Sequence, residues 1–158
     1  MAKLDEVYRK FGEVSEAAQL LETELGNLLL RHEFIDADLL EHPNPNRATT
    51  IYDKVNKRTL GRLIRSLDPI AESIEGLEQL LSDALASRNR LTHSFYLQHN
   101  FRRNSDDGRD VMLRDLEAIH DDLLEAYKAI LRLSGIDLEE LMEGGDTTLP
   151  SGYLPIRT

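Results

Sequence analysis

The sequence predicts an all-α protein, a four-helix up-and-down bundle with a short fifth helix. Two heptad runs and the lack of any strand signal predict it. Leu4, Val7, Phe11, Val14, Ala18, Leu21, Leu25 and Leu28 recur at steps of three and four, as do Met112, Leu116, Ile119, Leu123, Ala126, Ile130 and Leu133. Such spacing keeps one apolar stripe on a helix, and its regularity suits helices crossing at shallow angles. No segment shows the period-two alternation of a half-buried strand.

The elements follow in order. The first helix is expected over 3–31, with Gly26 tolerated inside it. Residues 32–48 then break the pattern, because Pro43 and Pro45 oppose a regular helix and Asn44 and Asn46 favour turns. His32, Glu33, Asp36, Asp38, Glu41 and His42 are metal-capable types here, but their spacing matches no metal motif, and a polar loop with a short helical turn is expected. Thr49 or Thr50 can cap a second helix over 50–67. Asp68-Pro69 opens a third over 69–96. The connection QHNFRRNSDDGR is rich in turn residues, and Ser105 or Asp106 can cap the fourth helix over 107–134. Ser134-Gly135 reads as a glycine C-cap and DLEELM as the fifth helix. The division expected is one helical domain, 1–143, and an irregular tail, 144–158.

Composition narrows the function classes. The chain has 158 residues and no cysteine, which excludes disulfides and thiolate metal sites. No apolar run reaches the roughly 20 residues of a membrane span. MAKLDEVYRK lacks the apolar stretch of a signal peptide, so a cytoplasmic protein is expected. Net charge is −10, which opposes a nucleic-acid partner, but the charge is segregated. Residues 47–65 and 88–114 together hold 12 Lys/Arg and four acids, leaving 7 and 25 for the rest. Two readings stand: a local basic surface for a polyanion, or solvated helix faces with ordinary ion pairs.

The third helix carries the most informative stretch, RNRLTHSFY from Arg88 to Tyr96. Its inner face runs Ile70, Ile74, Leu77, Leu81, Ala84, then Arg88, then Leu91 and Phe95. A guanidinium in a core position must be paired or solvated. One reading makes Arg88 structural, paired with a glutamate of the first helix, with His93 a half-buried satisfied histidine. The other makes Arg88, Asn89 and His93 a site. His99 either assists or is merely exposed, and His120 is read as a surface residue.

A helical bundle of this size whose third helix ends in Arg88, Asn89 and His93 resembles the HEPN superfamily. That family's motif is an arginine followed after four to six residues by a histidine, often with a polar residue directly after the arginine. The resemblance implies a HEPN-like fold and a metal-independent endoribonuclease acting as a homodimer. It also implies a toxin–antitoxin or antiphage setting, with an antitoxin or nucleotidyltransferase partner. Some HEPN toxins carry a tyrosine two residues after the histidine; this chain has Phe95 there and Tyr96 next.

The chemistry has its own logic. Metal-free RNA cleavage needs the 2′-oxygen activated, the leaving 5′-oxygen protonated and the phosphorane charge neutralised. An imidazole exchanges protons near neutral pH, and a guanidinium presents a planar fork to two phosphate oxygens. Asn89 can orient the imidazole or hold a phosphate or ribose oxygen. The expected ends are a 2′,3′-cyclic phosphate and a 5′-hydroxyl. No cofactor is implied. Arg88 and His93 lie about 140° apart around a helix, so one helix presents them poorly to a single phosphate. Two such helices across a two-fold axis can line one cleft with both pairs. Arg58, Arg62, Arg102 and Arg103 are candidate phosphate contacts, and Tyr96 a candidate base-stacking residue. The alternative function is a non-catalytic interaction protein that binds RNA, nucleotide or a partner protein.

Overall fold

A computed structural model describes residues 1–72 and 74–135. This region is helical, with no strand among the described residues. The helices are α1 (Leu4–Asp36), α2 (Pro45–Asn56), α3 (Leu60–Ser66), α4 (Asp68–Ala71), α5 (Leu77–His93), α6 (Phe95–His99) and α7 (Asp106–Leu133). A 3-10 segment, Asn100–Asn104, joins α6 to α7. The expected fifth helix and the tail lie outside the described residues.

α1 and α7 are the two long partners. α5 packs on α7, while α2 and α3 pack on α1. Val14, Leu21 and Leu25 of α1 face a core that includes Leu81 and Ala84 of α5 and Met112, Leu116, Leu123 and Ile130 of α7. Each fully buried leucine contributes about 1.5–3 kcal/mol by leaving water. The α7 heptad is buried from Met112 to Ile130, but at its end Leu133 is only half-buried and the neighbouring Leu131 is buried instead. On α1 the stripe drifts: Leu29 is buried and Leu28 only half-buried. A straight helix turns about 20° per heptad away from a 3.5-residue repeat, so the inward position moves on by one residue after several heptads.

Three boundaries differ from expectation, each for a local reason. α1 runs on to Asp36, since nothing between Arg31 and Asp36 breaks a helix. It ends in a turn where Asp38 takes φ +56, a left-handed conformation that aspartate tolerates better than most residues. The second helix begins at Pro45, not Thr50. Asn44 is its N-cap, accepting from the Arg47 N–H at 3.1 Å, and Pro45 occupies the first turn, where its missing N–H costs nothing. This helix is also two helices, parted at Lys57–Thr59, which lets Val55, Leu60 and Leu63 all reach the core.

The expected helix 69–96 is cut twice. Gly76, at φ +80, stands immediately before α5, and a left-handed residue cannot sit inside a right-handed helix. Ser94 separates α5 from α6 with φ −139, and its hydroxyl donates to the Arg90 carbonyl at 3.2 Å. Ser105 then caps α7, accepting from the Gly108 N–H at 3.1 Å. At the other end of α7, Gly135 takes φ +78, in keeping with the expected glycine C-cap.

Gly108 is where the 3-10 segment is pressed hardest against α7. A Cβ there would fall 2.7 Å from Arg102 Cα and closer still to its carbonyl oxygen, so backbone would have to move. Gly108→Ala should destabilise the protein by about 1–3 kcal/mol, the usual cost of overpacking. Urea denaturation of both proteins checks this, and unchanged stability would show that the 3-10 segment shifts freely.

Candidate functional site

The site builds on α5. Leu81, Ala84 and Leu91 face the core, and Arg88 occupies the seam beside them. Its side chain is 25% exposed, and the guanidinium meets Glu22 of α1, Nη2 to Oε1, at 2.8 Å. Nη1 donates to Asn89 Oδ1 at 3.2 Å. The structural pairing with a first-helix glutamate is therefore present, and the remaining N–H donors of the guanidinium have no side-chain partner among the described residues.

Arg88 and Asn89 line a groove of about 420 Å³ with Thr59, Gly61, Ile64, Arg65 and Leu85. His93 is not part of that lining. It is exposed, and no hydrogen bond to it is found among the described residues, so it is neither half-buried nor satisfied. Asn89 and His93 are four residues apart, which places them about one turn apart on one face of α5. A single chain thus assembles Arg88 with Asn89 and leaves the imidazole outside that groove.

The candidate RNA contacts divide into anchored and open groups. Arg58 is half-buried, paired with Glu33 at 2.9 Å and donating to Ser66 Oγ at 3.1 Å. Arg62 is exposed, with no ion pair among the described residues. Arg102 is exposed, and its Nη1 donates to His99 Nδ1 at 3.1 Å. The Arg103 side chain is exposed. Tyr96 stacks on Phe11 at 5.2 Å between centroids and meets Phe95 edge-on at 5.3 Å. Burial raises its hydroxyl pKa, helped by Tyr8 and opposed by Arg103. Phe101, 76% exposed, and Leu97, 80% exposed, project from the same corner.

Below that corner lies a polar cluster that the sequence reading missed. His99 is only 4% exposed. Its Nε2 meets Asp115 Oδ2 of α7 at 2.6 Å, and its ring lies 4.5 Å from that of Phe95. Arg102 can only donate, so Nδ1 accepts and the proton sits on Nε2, directed at Asp115. The other Asp115 oxygen accepts from Arg90 of α5. Burial acts to raise the Asp115 pKa, but the hydrogen bonds and charges of Arg90 and His99 together outweigh it and hold the carboxyl below its ordinary value. The available signal was position: His99 follows core residue Phe95 by four and continues its stripe.

Two other histidine neighbourhoods complete the picture. His120 is half-buried rather than on the open surface. Burial and then the Lys10 ammonium, 3.0 Å from its Nδ1, lower its pKa. Asp38, Glu41 and His42 come together with ligand atoms within 4.8 Å of one another. All three are exposed, and His42 already bonds Asp38 at 2.7 Å.

The depressed Asp115 pKa fixes a sign. Between its folded and unfolded pKa values the unfolded state binds more protons, so stability rises with pH. This contribution is complete above the unfolded value of about 3.9 and is lost as pH falls through the folded one. Asp115→Asn should be less stable than wild type near neutrality and should show a shallower acid limb. Urea denaturation across the acid range reads both, and parallel limbs would remove Asp115 from the acid response.

Comparison of the chain with protein-family models, with curated proteins and with solved structures finds no match in any of the three.

Proposed function

We propose that this chain is a HEPN-like four-helix protein that cleaves RNA without a metal as a two-fold dimer. Arg88, Asn89 and His93 of both protomers would line one cleft. The observation that carries the reading is the state of His93: an exposed imidazole, with no partner among the described residues, one turn from an asparagine that shares a groove with a half-buried arginine. In this scheme His93 exchanges protons with the 2′-oxygen and the leaving 5′-oxygen. The Arg88 fork neutralises the phosphorane. Asn89, already bonded to Arg88, orients the guanidinium or holds a ribose oxygen. The dimer answers the angular problem, because His93 of one protomer can face Arg88 of the other.

A second reading rests on the Arg88–Glu22 pair. A guanidinium already facing a carboxylate at 2.8 Å has part of its charge and donor capacity taken up and is less available to phosphate oxygens. If Glu22 is not displaced, the protein is a non-catalytic RNA, nucleotide or protein binder on the same scaffold.

The test is cleavage of cellular RNA by purified protein in EDTA. His93→Ala and Arg88→Ala should each lower the rate by a factor on the order of 10²–10⁴. His93→Ala should melt like wild type, because nothing buried depends on the ring. Arg88→Ala should cost about 1 kcal/mol or less, because Glu22 stays partly solvated. Absence of EDTA-resistant cleavage by wild type would leave the binding reading.

Assembly gives a second check. Light scattering should report twice the chain mass at tens of micromolar, where even weak dimers form. A monomer there, together with undiminished cleavage, would show that one protomer suffices.

A further inference from the structure

α2 and α3 meet in a groove of about 410 Å³ lined by Lys54, Lys57, Arg58, Arg62, Arg65 and Ser66. Every charged residue in that lining is basic. Arg58 is already engaged by Glu33 and Ser66. Lys54, Lys57, Arg62 and Arg65 are exposed and have no ion pair among the described residues. Lys54 lies in the last turn of α2 and Arg65 in that of α3, where helix carbonyl ends favour cations. That explains how the cations are tolerated side by side, but not why they converge on a concavity. Arg65 also lines the neighbouring groove that holds Arg88 and Asn89. The two grooves therefore share a wall, and the basic track continues to the proposed cleavage residues.

We propose that this track binds the phosphodiester backbone of single-stranded RNA flanking the scissile bond. Lys54, Lys57, Arg62 and Arg65 contact successive phosphates, and Arg58 holds the α2–α3 junction in shape. The choice of RNA rests on the ribonuclease reading; the choice of a linear polyphosphate rests on the two joined grooves. A flexible strand can follow a path around α3 that a rigid duplex cannot. The acidic remainder of the chain repels the strand elsewhere and confines it to the track.

The experiment uses the full chain carrying His93→Ala, so that RNA is not consumed, with a short fluorescein-labelled oligouridylate. Affinity is read by anisotropy from about 50 to 200 mM KCl, where phosphate contacts are most salt-sensitive. Adding Arg62→Ala/Arg65→Ala should weaken binding about tenfold at low salt. It should also flatten the log–log salt slope by about 1.4, or about 0.7 for each lost contact to a single strand. Lys54→Ala/Lys57→Ala tests the opposite wall, so a folding defect in one variant does not decide the matter. Arg9→Ala, on exposed α1 surface, should change neither quantity. Unchanged affinity and slope in both double variants would overturn the proposal, as would poly-L-glutamate binding as tightly as the oligouridylate. Binding that follows the groove variants, with no EDTA-resistant cleavage by wild type, would keep the track and remove the ribonuclease reading. Cleavage lost in His93→Ala, while groove variants bind normally, would do the reverse.

Discussion

The end of the molecule that carries α5, α6 and the 3-10 segment depends on one carboxylate, Asp115. One oxygen takes the Arg90 guanidinium and the other the His99 imidazole, so α7 holds both sides of the break at Ser94. Arg102 closes the cluster from the 3-10 segment. Every member of this part-buried cluster is hydrogen-bonded, and removing one partner would strand groups whose burial costs about 1–3 kcal/mol each. An aromatic column stands on the same point. His99 packs on Phe95, Phe95 on Phe11 of α1, and Phe11 on Tyr96. Polar and apolar contacts thus converge where the chain leaves α5, and they set the direction in which that helix ends.

Much of the helix framework was legible because apolar spacing is a direct record of burial. The α7 run from Met112 to Ile130 is buried as its heptad requires. Boundaries were less legible because they depend on single residues with two possible roles. Pro45 excludes a helix interior but favours a first turn, and only Asn44 before it decides between them. Gly76 permits either a helix or a left-handed turn, and the sequence around it is apolar at the right spacing for both. The apolar face from Ile70 to Leu81 therefore reads as one helix when it is two.

The candidate site was legible in part for the same reason. Arg88 stood out because a charge interrupted an apolar stripe, and a partner from the first helix was one of the readings it demanded; Glu22 is that partner. His99 did not stand out, because its neighbours are turn-forming and polar. A buried histidine is recognised by what satisfies it, and Asp115 lies on another helix. Glu22 and Asp115 look alike in sequence, as polar residues on amphipathic helices. Only the fold assigns them to Arg88 and His99.

The same logic sorts the basic residues. Glu22 and Glu33 are eleven residues apart on α1, which is three helical turns to within about 20°. They therefore lie on one stripe, and each receives an arginine from a different element: Arg88 from α5 and Arg58 from the α2–α3 junction. Gly26 lies on that stripe between them, where Val55 of α2 comes 3.9 Å from the position its Cβ would occupy. α1 thus acts as the mount on which both basic elements are set, with its carboxylates fixing their spacing. Both anchored arginines are half-buried, and their cost in desolvation is offset by these partners. Lys54 of α2, Lys57 in the connection after it, and Arg62 and Arg65 of α3 are instead exposed. None of the four forms an ion pair among the described residues. In a protein of net charge −10, four exposed cations thus stand around one groove, apart from the two arginines that carboxylates of α1 hold.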